Sequence, residues 1–533
     1  CVDGRMIAPC MYLLEHAAEE GALEPEERDA CVARLLFLAY LYASDNYYPG
    51  MATMLPIGDD NTVEPTMAGM ANQNFYTDII NVFATAAQLF PNHPAASAWR
   101  DKFAAMWRRQ KEFHMYPDSG VWEESHTYYH HVLYTLLPLL LRRRADGAGD
   151  EFADNQFRSL LGSSLRQLTP RCAEHDGARA VIAFGDHFEE NRLYSAQYAE
   201  YARAVAPHDP ELAGRLAWAY REMNGNGETA VELRVPPWND EYVRGLGFMF
   251  RSRDERGREC LLALRSGGAW GHHHNDEGSI QLYARGHALI VDSAFSRVQA
   301  APDKKLGHRG QSRWTLRDLE PMNYFFRFNR GWICARDESA PYAYATAYDP
   351  IHMFFMQANR LAYPMRRPLE HTRTVVRLAP TSFLLVDACE SDLPQVVRFH
   401  VPGDHAAESE LSAVNAVVGD CRLSVVPLAS ERPTIRTETD ADTATGRYRT
   451  TEFAFHCGMR LLNAFYIAAE EVDRPLPGLT VEGEKEFRVD HGDRSWTFRF
   501  GEGESEGRWL AVAEPSRGTS MTVRLDREVS SAQ

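Results

Sequence analysis

Trp270-Gly271-His272-His273-His274-Asn275-Asp276-Glu277-Gly278-Ser279-Ile280-Gln281-Leu282-Tyr283-Ala284-Arg285-Gly286-His287-Ala288-Leu289-Ile290-Val291-Asp292 is the stretch that decides the fold. Ile280, Leu282 and Ala284 alternate with polar or amphipathic neighbours, the period-two pattern of a strand. Arg285-Gly286-His287 reads as a turn, and Ala288-Leu289-Ile290-Val291 as a buried returning strand. Three histidines and an acid stand immediately ahead of this hairpin. Histidines at the mouth of a rigid hairpin can hold a proton-transfer group or a metal in fixed geometry. The same residues also make an ordinary polar loop.

Upstream of the hairpin the chain reads as helical, to about residue 225. Trp99, Phe103, Met106 and Trp107 fall at i, i+4, i+7 and i+8, one face of a helix. Similar stripes run through Ala30–Tyr42, Asp78–Leu89, Tyr129–Leu141 and Leu193–Val205. The short loops between them carry Pro, Gly or Asp, which suggests antiparallel helices stacked around a centre. The pattern changes at Asn224-Gly225-Asn226-Gly227, and Val235-Pro236-Pro237-Trp238 reads as a linker. Beyond it come strands: Thr374–Leu378, Phe383–Ala388, Val396–Val401, Arg422–Val426, Leu461–Ile467, Trp496–Phe500, Trp509–Val512 and Thr522–Leu525. Turn-forming clusters separate them, as in an antiparallel sandwich. The expectation is a multidomain α+β protein, with a helical domain over residues 1–228 and an antiparallel β domain over residues 238–533.

At 533 residues the chain needs more than one core. Its net charge of -17 argues against nucleic acid as a partner. Any polyanion it binds must meet a locally basic site. The nine cysteines include no Cys-x-x-Cys pair, so neither a disulfide framework nor a cysteine zinc site is indicated. No apolar run reaches the ~18 residues that span a bilayer. The chain begins at Cys1 without the pattern of a signal peptide. Phosphate-loop and dinucleotide fingerprints are absent.

Two families resemble the histidine stretch. His272-x-His274-x-Asp276 has the spacing of metallo-β-lactamase-like hydrolases, in which such residues bind zinc and activate water. Those enzymes carry a further histidine where this chain has Glu277, and they sit in an α/β sandwich. The longer match is His-x-His-x-Asp, then Gly-Ser-hydrophobic, then Leu-Tyr-Ala-x-Gly-x-x-Leu-x-x-Asp. From Trp270 to Asp292 it resembles the heparinase II/III-like polysaccharide lyases, which include heparin, heparan, chondroitin and oligoalginate lyases. That resemblance implies an incomplete α/α toroid followed by an antiparallel β-sandwich. It implies an acidic polysaccharide or oligosaccharide substrate, and a periplasmic or extracellular location.

Such a lyase removes the weakly acidic C5 proton of a uronate and expels the 4-O-linked sugar. Neutralising the carboxylate stabilises the enolate-like intermediate. A base takes the proton and an acid protonates the leaving oxygen. By resemblance, Asn72 in Asn72-Gln73-Asn74-Phe75-Tyr76-Thr77-Asp78 faces the substrate carboxylate. Gln73 stands where the family often has histidine; an amide does not titrate, but it can donate a hydrogen bond. Asn72 or Asn74 could equally cap a helix. Glu124-Ser125-His126-Thr127-Tyr128-Tyr129-His130-His131 resembles the family's Glu-Ser-x-x-Tyr-His segment. Tyr128 falls at the catalytic tyrosine, with Tyr129 one step away and the register open. Phe184-Gly185-Asp186-His187 resembles a cleft-lining Gly-Asp segment.

In the β half, the resemblance makes His272 catalytic and His274 a ligand of a structural zinc together with Asp292. His371 is the candidate third ligand and His308 a substitute. Arg309, Arg313 and Arg373 offer positive charge, and Trp270 and Trp314 could stack on sugar rings. The expected substrate-binding set is Gln73, Tyr129, His126, His187, Arg309 and Trp270. Two other readings stay open. One is a zinc hydrolase using His272, His274 and Asp276. The other is a non-catalytic glycan-binding protein on the same fold, to which Gln73 lends support.

Overall fold

The computed structural model describes residues 4–44, 73–182, 184–185, 195–225, 227–267, 276–292, 312–317, 319–321, 331–356, 361–405, 413–439, 450–503 and 507–526. The chain divides into two compact units, Cys1–Leu165 with Leu193–Val235, and Arg166–Arg192 with Pro236–Gln533. Residues 166–192 lie within the helical stretch of the sequence but belong to the unit that holds the strands.

The first unit contains, among the described residues, α1 (Gly4–Glu19), α2 (Pro25–Ala43), α3 (Gln73–Leu89), α4 (Ala96–His114), α5 (His126–Ala145), α6 (Asn155–Leu165), α7 (Gln197–Val205) and α8 (Pro210–Asn224). Helices α1, α2, α4 and α5 all pack on α3. That explains why α3 is buried on every side: Ile80, Val82, Phe83, Ala86 and Ala87 are all buried, and so are the polar Asn74, Asp78 and Asn81. The stripe Trp99, Phe103, Met106 and Trp107 faces inward from α4, as its spacing predicts. Helix α8 starts on Asp209, whose carboxylate accepts from the Leu212 amide at 2.9 Å, with Pro210 in the first turn.

In the second unit every strand pairing among the described residues is antiparallel. The strands form four sheets, of five, eight, four and five members. The eight-stranded sheet explains the long apolar runs. On strand Ser382–Cys389, Phe383 and Leu385 join one core with Phe250, Leu262 and Phe399, while Leu384 and Val386 join a second with Val489, Phe498 and Leu510. Successive side chains point to opposite faces, and both faces are covered, so the strand is buried along its whole length.

The decisive hairpin forms as its pattern predicts. Strands Ile280–Ala284 and His287–Ile290 pair antiparallel. Arg285 and Gly286 between them have φ of 56° and 85°. A two-residue connection with both φ values positive matches the right-handed twist of the strands. Ala173 and Glu174 pack here: the Ala173 amide donates to the Gly286 carbonyl at 2.8 Å, and the Ala288 amide to Glu174 at 2.8 Å.

Candidate active site

In the helical unit the site is built on one face of α5. Tyr128, His131 and Thr135 stand at i, i+3 and i+7, so they share that face. Asn74 and Asp78 of α3, one turn apart, meet it; both are buried. His131 Nε2 lies 2.9 Å from Asp78 Oδ1, and Thr135 Oγ1 donates to the same oxygen at 3.5 Å. From α1, Arg5 Nε donates to Asp78 Oδ2 at 2.8 Å and Arg5 Nη2 to Asn74 Oδ1. Asn74 Nδ2 in turn donates to Glu124 Oε1, whose other oxygen accepts from Trp122 Nε1 at 3.1 Å. The Arg5 guanidinium carbon lies 5.7 Å from the Tyr128 ring centroid. Asn74 is thus a bridge inside α3 and not a helix cap.

Tyr129 is turned away. One residue along a helix is a rotation of ~100°. The Tyr129 ring is buried, its hydroxyl donates to the Leu160 carbonyl, and Ser163 Oγ is 3.3 Å off. Burial pushes this phenol well above its ordinary value. Tyr128 is only half-buried. His126 is buried at the start of α5, and its carbonyl accepts from His130 Nδ1 at 2.8 Å. That leaves His130 Nε2 to accept from the Tyr198 hydroxyl at 2.8 Å. Burial lowers the His130 pKa to about 4, so the ring is neutral.

In the β unit the hairpin sits beside a buried ionic network. Arg373 binds Asp387 through Nε at 2.7 Å and Nη2 at 2.8 Å. Its Nη1 donates to the carbonyls of Gly278 at 2.7 Å and Ser312 at 3.2 Å. Arg313 donates to Asp349 at 3.0 Å. Burial still raises the Asp349 carboxyl to about 7. Arg265 Nη1 donates to the carbonyls of Gly245, Leu246 and Gly267, and Glu277 accepts from the Gly267 amide at 3.2 Å. Gly267 and Glu277, on either side of residues 268–275, are therefore tied to each other. Asp276 is buried, with Oδ1 3.8 Å from Arg265.

His371 lies in strand Leu361–Ala379, stacked on Trp314 with centroids 4.3 Å apart. Its Nε2 is 2.9 Å from Asp387 Oδ1, and its buried Nδ1 has no hydrogen-bond partner among the described residues. Burial lowers its pKa to about 4. A neutral histidine with a carboxylate on one nitrogen and the other open is the arrangement of a metal ligand. Asp292 is buried just after the hairpin. Among the described residues no three His, Cys, Asp or Glu side chains are grouped to hold a metal ion. Asn72, His187, Trp270, His272, His274, His308 and Arg309 lie outside the described residues, as does the side chain of Gln73.

Arg5, Asp78 and Asp387 were not singled out from sequence. Asn74 and Asp78 stand one turn apart on a helix that is buried on all sides, and polar residues at that spacing are a signal that could have marked them. Arg5 carries no such signal, because its partners lie 69 and 73 residues away.

With this geometry in hand, solved structures resemble the chain over most of its length. Heparan sulfate lyase HepC from Pedobacter heparinus superposes with a TM-score of 0.63 at 14% identity, covering 98% of this chain and 79% of that one. Two heparinase III structures give TM-scores of 0.60 and 0.61, each at 14% identity, covering 90% and 84% of this chain and 68% and 67% of theirs. The chain has the heparinase-like polysaccharide lyase fold. No protein-family model and no curated protein sequence matches it.

Proposed function

We propose that the protein is a polysaccharide lyase that cleaves a uronic-acid-containing glycan by β-elimination, leaving a 4,5-unsaturated uronate end. The observation that carries this reading is the half-buried Tyr128 beside Arg5, Asp78 and His131, on a fold shared with heparan sulfate lyase HepC. The helical unit is read as an incomplete α/α toroid and the β unit as an antiparallel sandwich.

In this reading a base removes the C5 proton. Its electron pair forms the C4–C5 double bond, the C4–O bond breaks, and the leaving oxygen takes a proton from the Tyr128 hydroxyl. Asn72 neutralises the substrate carboxylate, with Gln73 beside it, and His272 moves a proton or offsets charge. His126, His187, Arg309 and Trp270 are assigned to the sugar chain. Tyr129 is given no role, because its hydroxyl is turned into the core. A structural zinc is assigned to His274, Asp292 and His371; the open Nδ1 of His371 supports it. This reading assigns the protein to the periplasm or the outside of the cell, where an acidic polysaccharide would be met. No helix among the described residues is long and apolar enough to cross a membrane.

The test is a panel of alginate, glucuronan, hyaluronan, chondroitin and heparan sulfate, followed by the absorbance of the unsaturated uronate. Growth of that chromophore on one of them supports the reading. Cleavage without it indicates a hydrolase, and binding without cleavage a glycan-binding protein.

A further inference from the structure

We propose that Arg5 is a positioning residue for Tyr128, holding the ring and favouring its phenolate through the guanidinium above it. The inference rests on the reading of Tyr128 as the proton-transfer group. Arg5 is itself fixed by two residues of α3: Asp78 accepts from Nε at 2.8 Å, and Asn74 accepts from Nη2. Those two anchors place the guanidinium carbon 5.7 Å from the Tyr128 ring centroid. An opposite charge within ~4–6 Å of an acid stabilises its charged form, by about one pKa unit or more, and a guanidinium over the ring supplies such a charge to the phenolate. It also attracts the ring face itself.

The anchors belong to one connected set. Asp78 joins Arg5 to His131, and Asn74 joins Arg5 to Glu124. Among the described residues, the charged or titratable groups joined in this set are Arg5 from α1, Asp78 from α3, Glu124 ahead of α5, and His131 on α5. Arg5 is the cation of this set, lying over the Tyr128 ring; Asp78 and Glu124 are acids that would oppose phenolate formation. Removing Arg5 takes away a cation that offsets those acids, while Asp78 keeps His131 and Glu124 keeps Asn74 and Trp122, so the phenol becomes harder to ionise. The Arg5 side chain is 27% exposed, at the edge of the site rather than in the core.

The test follows the near-ultraviolet tyrosinate band against pH. The component lost in Tyr128→Phe belongs to Tyr128. In the wild type it should titrate below the ordinary phenol value near ~10. In Arg5→Gln it should move up by about one pH unit or more. Arg5→Lys, which keeps the charge, should restore most of the shift. The limb of kcat/KM that follows Tyr128 should move in step, with KM little changed. An unmoved Tyr128 titration in folded Arg5→Gln overturns the proposal. If Arg5→Gln does not fold, a wild-type Tyr128 that titrates above the ordinary value overturns it instead. A shift in a protein that cleaves no uronate glycan would sink the lyase reading and leave Arg5 standing. Lyase activity without the shift would sink Arg5 alone.

Discussion

Tyr128 and Tyr129 are chain neighbours with opposite surroundings: Tyr129 donates its hydroxyl to the Leu160 carbonyl in the core, while Tyr128 stays half-buried beneath the Arg5 guanidinium. Tyr128→Phe removes a proton donor and should lower turnover by about a hundredfold or more. Tyr129→Phe removes a buried hydrogen bond and should cost about 1 kcal/mol of stability, with turnover kept. Steady-state kinetics and denaturant unfolding of the two variants check this. The reverse pattern would move the proton donor to Tyr129.

Asp387 is buried between His371 and a two-point contact with Arg373. Asp387→Asn leaves a buried guanidinium without its counter-charge, which costs about 3 kcal/mol or more. Arg373 also holds the Gly278 carbonyl at the base of the hairpin. Urea unfolding should show the loss directly. A variant as stable as the wild type would mean that water or another acid reaches Arg373.

His287 sits between two carboxylates, with Glu174 3.0 Å from Nδ1 and Asp420 2.8 Å from Nε2. The bond to Glu174, with Asp420 adding, raises its pKa. A folded-state pKa above the unfolded value contributes stability that is complete below about 6.5 and is lost as pH rises through the folded value. His287→Gln should therefore lower the melting temperature at mildly acidic pH and change it little at clearly alkaline pH. An equal loss at both would assign His287 a packing role only.

The strand pattern in Ile280–Ala284 and the helical stripe of α4 were legible because each depends on neighbours a few residues apart. The change from helices to strands near residues 224–238 was legible for the same reason. Residues 166–192 were not, since Ala173 and Glu174 find their partners at Gly286, His287 and Ala288, more than a hundred residues on. In the site, Tyr128 could be named but not separated from Tyr129. Only the packing of α5 against Leu160 and Ser163 gives the two rings different environments. The role of Arg5 was hidden altogether, because sequence spacing does not encode which helix α1 lies against.

If zinc is held by His274, Asp292 and His371, His274→Ala and His371→Ala should each lose metal and melt at a lower temperature. His272→Ala should keep the metal and lose turnover. Elemental analysis of the purified protein, with melting curves before and after chelation, decides this. Zinc absent from the wild type, or all three variants behaving alike, would remove the metal from the account.

β-Elimination and hydrolysis differ by one molecule of water, so the masses of the fragments test the central claim most directly. A defined uronate oligosaccharide is cut once and both fragments are weighed. The account predicts that the two masses add up to that of the substrate, with the unsaturated uronate at the new non-reducing end, and that Tyr128→Phe forms neither fragment at a comparable rate. Fragments that together exceed the substrate by one water, with no unsaturated end, would contradict it.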